Sequence, residues 1–162
     1  MVRSYRRVIK EQLDEMAEAR GGGELDEYPV DLLILVPSHG SQEQRWAVEA
    51  LETLPDGTEY IDLTRDDNRR RIARRDEVRL CTFHSARGIE GTRVVALGFE
   101  CIQELAEKSS TDFVNLGYIV LSRSLFDTLT AFRRSRRTWP VPVFIERVLE
   151  EMRAEEASLP SA

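Results

Sequence analysis

The 162-residue sequence is poor in the residues that build metal sites and disulfides, with two cysteines and two histidines. Cys81 and Cys101 each lie in or beside an apolar run, which predicts buried, reduced thiols. Together with the distant His39 and His84 they make no zinc-binding pattern. We therefore predict no metal site built from these four residues.

Long apolar runs are also missing. The longest, Leu32 to Val36, is far too short to span a bilayer. The first ten residues lack the apolar stretch of a signal peptide. We therefore expect a cytoplasmic protein with no membrane partner. Its length, with 41% hydrophobic and 32% charged residues, predicts one globular domain with its own core.

The sequence lacks both signatures of a self-sufficient ATPase. No G-x-x-x-x-G-K-[ST] segment is present, so no loop cradles the β- and γ-phosphates with a lysine. No acidic pair of the D-E-x-Q type follows an apolar strand to hold magnesium. The glycines at 21–23 do not replace the missing loop, because acidic residues follow them. We therefore predict no ATP hydrolysis by this chain alone.

The net charge of −6 argues at first against nucleic acid as a partner. Its distribution is uneven, however. Acidic residues cluster at 11–27 and 146–156, whereas arginines cluster at 65–75 and 133–137. Arginine forks onto phosphate, so the local basic patches are compatible with phosphate binding. The same richness also fits a compositional bias, and the default reading of such a run is a solvated face.

The apolar pattern predicts strands that alternate with helices. An amphipathic helix is expected from Tyr5 to Arg20, and a helix capped by Ser38 or Ser41 follows the first strand. Further helices are expected at 101–106 and 143–153. Strands are expected at 30–36, 59–63, 78–83, 93–98 and 128–132, while residues 113–126 fit either a strand or a buried helix. The alternation, without an Asn-Gly hairpin dipeptide, predicts a parallel α/β fold.

One polar loop lies between the strands at 78–83 and 93–98. Gly88 and Gly91 allow backbone N–H groups to approach a ligand, and Arg87 can fork onto phosphate. Ligands on parallel sheets bind at the carboxyl ends of the strands. We therefore expect three polar segments to meet at one edge of the sheet: residues 37–41, 84–91 and 122–123. The alternative is a loop that crosses the sheet with its charges merely solvated.

Two segments resemble motifs of the C-terminal RecA-like domain of UvrD/Rep-type superfamily 1 DNA helicases. Residues 82–90, TFHSARGIE, resemble motif V, usually T-x-H-x-x-K-G-L-E, with Arg87 in place of lysine. Residues 117–124, GYIVLSRS, resemble motif VI, usually Y-V-A-x-T-R-A, with Ser122 in place of threonine. The likeness covers roughly residues 32–132. Tyr5-Arg6 resembles, more faintly, an N-Y-R motif that precedes this domain.

The resemblance implies a three-layer RecA-like fold with a mostly parallel sheet that lacks the P-loop. It divides the chain into an N-terminal helix and linker (1–29), a RecA-like domain (30–141) and a C-terminal helix and tail (142–162). It also implies that residues 113–123 form a buried helix.

By the same resemblance, Arg123 is the arginine finger that reaches the γ-phosphate of ATP. The ATP and its Mg²⁺ would be held mainly by an N-terminal, Walker-bearing RecA-like domain, in cis or in trans. The residues that would contact the nucleotide are Arg87, Gly88, Glu90, Tyr5 and Arg6. The residues that would contact single-stranded DNA are Ser38, His39, Thr82 and His84.

Each role has a plainer alternative. Arg123 could be an ion-paired arginine at a helix end, His84 a neutral histidine bonded within its own loop, and Glu90 a solvated carboxylate. The chain as a whole could be a piece of a longer helicase, a separate subunit that completes a partner's nucleotide site, or a non-catalytic nucleic-acid-binding or scaffolding module. A different phosphate-binding α/β enzyme has no nucleophile or acid–base pair to support it.

Overall fold

The computed structural model describes residues 2–21, 32–53, 59–68, 71 and 77–131, which form one β-sheet with helices packed on both faces. The helices are α1 (Val2–Gly21), α2 (Gln42–Glu52), α3 (Ile102–Lys108) and α4 (Phe113–Leu121). The strands are β1 (Leu32–Val36), β2 (Tyr60–Asp62), β3 (Val78–Thr82), β4 (Gly91–Leu97) and β5 (Ser124–Ala131). Short 3₁₀ turns lie at Asp66–Asn68, His84–Ala86 and Phe99–Cys101.

The five strands are all parallel and lie in the order β2-β3-β1-β4-β5. Strand β1 occupies the centre, where Leu33 pairs with Arg79 of β3 and Leu32 pairs with Arg93 of β4. All five residues of β1 are buried. Its unbroken apolar sequence is therefore explained by layers on both faces of the sheet.

Alternate residues of β1 enter two separate cores. Leu33 and Leu35 pack with α3 and α4 on one face, whereas Leu32, Ile34 and Val36 pack with α1 and α2 on the other. This alternation is the period of two expected of a strand. The predicted three-layer α/β fold with a parallel sheet, the fold class of a RecA-like domain, is therefore confirmed.

Two side-chain caps determine where helices begin. Ser41, and not Ser38, caps α2, with its Oγ accepting the Gln44 N–H at 3.1 Å. Asp112 caps α4 by accepting the backbone N–H groups of Val114 and Asn115. The cap at Asp112 starts a helix in the stretch that fitted either structure, so the buried helix implied there is confirmed.

Several sequence predictions fall outside the described residues. These are the arginine cluster at 133–137, the helix expected at 143–153, the C-terminal tail and most of the arginine run at 65–75. Within the described ranges, no helix is both long and apolar enough to cross a membrane.

Candidate functional site

The loop between β3 and β4, residues 83–90, runs the length of the sheet. Thr82 pairs with Val36 at the carboxyl ends of their strands, whereas Arg93 pairs with Leu32 at the amino ends. At about 3.3 Å per residue, the two ends of the loop lie roughly 20 Å apart along the strands. We call the end of the sheet at which the strands finish the carboxyl edge, and the end at which the strands begin the amino edge.

Arg123 lies at the amino edge. It directly precedes β5, whose first residue, Ser124, pairs with Gly91 at the start of β4. The Gly91 N–H also donates a hydrogen bond of 2.9 Å to the Arg123 carbonyl. The prediction that residues 122–123 share one edge with residues 37–41 and His84 was therefore wrong. In a parallel sheet the crossover must return to the amino edge before the next strand begins, and α4 makes that return.

The last residue of the loop, Glu90, also belongs to the amino edge, whereas Arg87 and Gly88 lie between the two edges. Arg87, Gly88 and Glu90 are exposed, and the Glu90 carbonyl accepts a hydrogen bond from the Arg79 guanidinium. Gly88 has a φ of +75°, and a Cβ built there would meet nothing within 4 Å. The predicted approach of a ligand to the Gly88 backbone is therefore sterically open.

Gly91 serves packing instead. A Cβ built on it would lie 2.9 Å from the Leu33 Cβ and 3.0 Å from the Arg93 carbonyl oxygen. Gly91 is itself buried. The glycine at this position is therefore explained by the close approach of β4 to β1, and not by the ligand contact predicted for it.

The Arg123 side chain is half-buried beside the loop. Its Nη2 donates to the Ser122 Oγ at 2.9 Å. Its Nε is buried and has no hydrogen-bond partner among the described residues, which also offer it no carboxylate in ion-pair range. The ion-paired alternative thus has no support in this part of the chain. A buried polar atom without a partner requires an explanation, and a ligand is one.

A buried polar network organises the carboxyl edge. The Gln44 amide donates to the Asp62 carboxylate at 3.0 Å and to the Thr64 hydroxyl at 2.9 Å. The Thr64 hydroxyl and backbone N–H both donate to Asp62 Oδ1, at 2.6 and 3.0 Å. The Gln44 Oε1 in turn accepts the Gly40 N–H at 2.8 Å. The network thus joins the loop that follows β1 to the loop that follows β2.

His39 lies at the outer end of this network. Its Nδ1 is 3.0 Å from the Thr64 Oγ1, while the residue as a whole is exposed. Ser38 beside it is exposed as well. Because Val36 pairs with Thr82, the loop that carries His39 is adjacent to the loop that carries His84.

His84 is exposed and bonded across the loop. Its Nε2 is 2.9 Å from the Ser109 Oγ, whose own hydroxyl donates to the Leu105 carbonyl at 2.8 Å. Partial burial, with a smaller effect of the Arg87 charge, lowers the pKa of His84 below its usual value. His84 is therefore favoured as a neutral imidazole that donates through Nε2 and presents Nδ1 as an acceptor.

Two predicted site residues are used inside the fold. The Thr82 side chain is buried and its hydroxyl donates to the Ser85 Oγ at 2.9 Å, so it shapes the loop, and its DNA contact stays a prediction. The Tyr5 ring is buried in the core and packs edge-on against Trp46, 5.5 Å between centroids. The nucleotide contact of Tyr5 stays a prediction, and the ring would have to be uncovered to make it. Arg6 is exposed, and its nucleotide contact stays a prediction.

Four residues of the carboxyl edge were not foreseen: Gln44, Asp62, Thr64 and Ser109. Part of the signal was present, since Ser41 and Gln44 have the S-x-x-Q spacing of a capping box. The Gln44 side chain uses that position to bond Gly40, one residue before the cap. The remaining partners come from distant segments, which single-sequence patterns do not join. Within the described ranges, no group of three or more His, Cys, Asp or Glu residues could hold a metal ion.

Comparison with known proteins adds little. No protein-family model matches the chain, and no curated protein matches it. Among solved structures, the Sulfolobus solfataricus SWI2/SNF2 ATPase core in complex with dsDNA is similar over 74% of this chain, with a TM-score of 0.46 and 12% identity. This chain spans 24% of the length of that one. A TM-score below 0.5 carries no argument, so the fold assignment rests on the sheet itself, and UvrD/Rep kinship gains no support here.

Proposed function

We propose that this chain is the second RecA-like half of an ATP-driven motor that acts on single-stranded nucleic acid, UvrD-like in its motifs V and VI. The observation that carries the proposal is the course of the loop 83–90. One end of it bears His84 at the carboxyl edge, and the other end lies beside Arg123 at the amino edge. One short segment therefore adjoins both candidate sites.

In this proposal the amino edge meets the nucleotide. Arg123 is the cation at this edge, Arg87 would reach toward it from the middle of the loop, and Gly88 leaves its backbone open to a phosphate. Glu90 is exposed and available to the ribose hydroxyls. The partner domain would bring ATP with its Mg²⁺, because the 162 residues contain no Walker sequence. The unpartnered Nε of Arg123 supports a role toward that nucleotide.

The carboxyl edge would meet the nucleic acid. Ser38, His39 and His84 are all exposed there, on adjacent loops that the buried network and Ser109 hold in place. The nucleic-acid strand would thus bind at the carboxyl edge, while the nucleotide binds at the opposite, amino edge. Single-stranded DNA is the ligand that the motif likeness implies.

The test is nucleic-acid-stimulated ATP hydrolysis by this chain together with a Walker-bearing RecA-like domain. An arginine finger contributes roughly 10³- to 10⁵-fold to the rate. We therefore expect Arg123→Ala to lower turnover by about 10³-fold or more while leaving ATP binding largely intact. Arg123→Lys restores the charge without the planar fork and should recover little.

Arg45→Ala is the matched control, since it removes one exposed arginine from α2, away from the amino edge. Its turnover should equal that of the unaltered chain. An Arg123→Ala assembly that hydrolyses ATP at the unaltered rate would remove the finger role.

The second candidate is a nucleic-acid-binding module without catalysis. The observation that favours it is the absence of both Walker signatures from the 162 residues. It predicts salt-sensitive binding of single strands by this chain alone, and no stimulation of any Walker-bearing domain. Stimulated hydrolysis that depends on Arg123 would decide against it.

A further inference from the structure

The carboxyl-edge network determines that Nδ1 of His39 is a hydrogen-bond donor, and so which nitrogen carries the proton when the ring is neutral. The Thr64 Oγ1 has three neighbours: Asp62 Oδ1 at 2.6 Å, Gln44 Nε2 at 2.9 Å and His39 Nδ1 at 3.0 Å. A carboxylate only accepts, so the hydroxyl proton of Thr64 is directed at Asp62. An amide nitrogen only donates, so Gln44 uses one lone pair of the hydroxyl. His39 Nδ1 must therefore be the donor to the other.

This assignment is protected by burial. Thr64 is 2% exposed, Gln44 7% and Asp62 8%, so water does not readily exchange for any partner. The hydrogen bond from Thr64 to the Asp62 carboxylate is charge-assisted, so turning the hydroxyl proton away from Asp62 is costly. In the neutral imidazole with Nδ1–H, the other nitrogen, Nε2, is an acceptor. His39 Nε2 has no hydrogen-bond partner among the described residues, and the residue is exposed.

We propose that Asp62, Thr64 and Gln44 are positioning residues that hold His39 as a hydrogen-bond acceptor for an N–H or O–H group of a bound nucleotide. The inference rests on the proposed function, in which the carboxyl edge binds single-stranded nucleic acid. Phosphate oxygens only accept, so the neutral tautomer with Nδ1–H does not bind them through Nε2; only an imidazolium, with a second proton on Nε2, would. In that tautomer, the single-strand contact predicted for His39 is a contact with a ribose 2′-hydroxyl or a base N–H.

The first test reads the tautomer itself. Long-range ¹H–¹⁵N spectra at about pH 8, above the ordinary titration range of imidazole, distinguish protonated from bare ring nitrogens. The chain has two histidines, so His84→Gln assigns both signals. We expect Nδ1–H at His39, loss of that preference in Thr64→Val, and its return in Thr64→Ser. An Nε2–H form of His39 in the unaltered chain would overturn the inference.

The second test reads the ligand. Fluorescence anisotropy at low salt compares one uracil sequence as RNA, as 2′-O-methyl RNA and as DNA. Loss of one neutral hydrogen bond costs about three- to tenfold in affinity. If the 2′-hydroxyl is the donor, His39→Ala weakens RNA binding alone by that factor. If the base N–H is the donor, His39→Ala weakens the binding of all three oligonucleotides equally. With N3-methylated uracil, the variant and the unaltered chain then bind with the same affinity.

Thr64→Val should reproduce the His39→Ala loss, and Glu49→Gln on the exposed side of α2 should leave affinity unchanged. If the oligonucleotides bind equally well with and without His39, the acceptor role fails and the proposed function stands. If none of them binds the unaltered chain, the nucleic-acid edge of the proposed function fails, and the acceptor role fails with it.

Discussion

Two glycines, Gly88 in the loop and Gly91 at the start of β4, provide a quantitative test of the fold. In Gly91→Ala, the new Cβ would sit 2.9 Å from the Leu33 Cβ and 3.0 Å from the Arg93 carbonyl oxygen. Carbon atoms normally approach to about 3.5–4.0 Å, so β4 must move away from β1. Overpacking of this kind costs about 1–3 kcal/mol. The shift also weakens the Gly91 N–H bond to Arg123, worth about 1 kcal/mol.

We therefore expect Gly91→Ala to lower the free energy of unfolding by about 2–4 kcal/mol. Gly88→Ala is the matched control, because its Cβ meets open space and its only cost is the left-handed backbone, about 1–2 kcal/mol. The entropy that alanine removes from the unfolded chain is common to both variants and cancels.

Urea unfolding followed by circular dichroism gives the free energy of unfolding of both variants, and thermal melting gives their Tm. For a chain of this size, about 1 kcal/mol corresponds to 2–4 °C in Tm, so Gly91→Ala should melt roughly 4–16 °C below the unaltered chain. Should Gly88→Ala prove the more damaging of the two, the close packing of β4 on β1 would be refuted.

Two further predictions concern titration and thiol chemistry. Burial lowers the pKa of His84, so the unfolded chain takes up its proton first as pH falls. Stability is then lost below about pH 7, and His84→Gln should show a flatter dependence of Tm on pH between about 7 and 5; an identical dependence would contradict the shift. Burial raises the pKa of Cys81 to about 12, whereas Cys101 is partly exposed. Iodoacetamide should therefore label Cys101 in the native chain and Cys81 only on unfolding, as peptide mass spectrometry can show.

The sequence patterns predicted the layers of the fold well. The apolar run of β1 requires cover on both faces, and the alternation of Leu33 and Leu35 with Ile34 between two cores supplies it. The spacing of the apolar residues and the length of the apolar run are enough to predict a strand that is covered on both faces. The run at 113–126 could not be resolved in that way, because a buried helix and a buried strand are equally apolar. The cap at Asp112 separates them, and only the structure shows that cap in use.

The candidate site was less predictable, because the order and direction of the strands decide at which edge of the sheet each polar segment lies. Polar residues that follow β1, β3 and α4 look equivalent along the chain. The loop 83–90, however, leaves the carboxyl edge and ends at the amino edge, where α4 delivers Arg123. The contacts of Thr64 depend on three segments that are distant in sequence. No pattern within a single window joins them.

The proposed nucleic-acid and nucleotide sites lie at opposite ends of the strands, and chemical-shift mapping of the chain with a short single-stranded oligonucleotide distinguishes them. We expect the backbone amides of Ser38, His39 and His84 to shift, and those of Glu90 and Gly91 at the amino edge to stay unchanged. Shifts concentrated around Glu90, Gly91 and Arg123, with none at Ser38 and His39, would contradict the separation of the two sites.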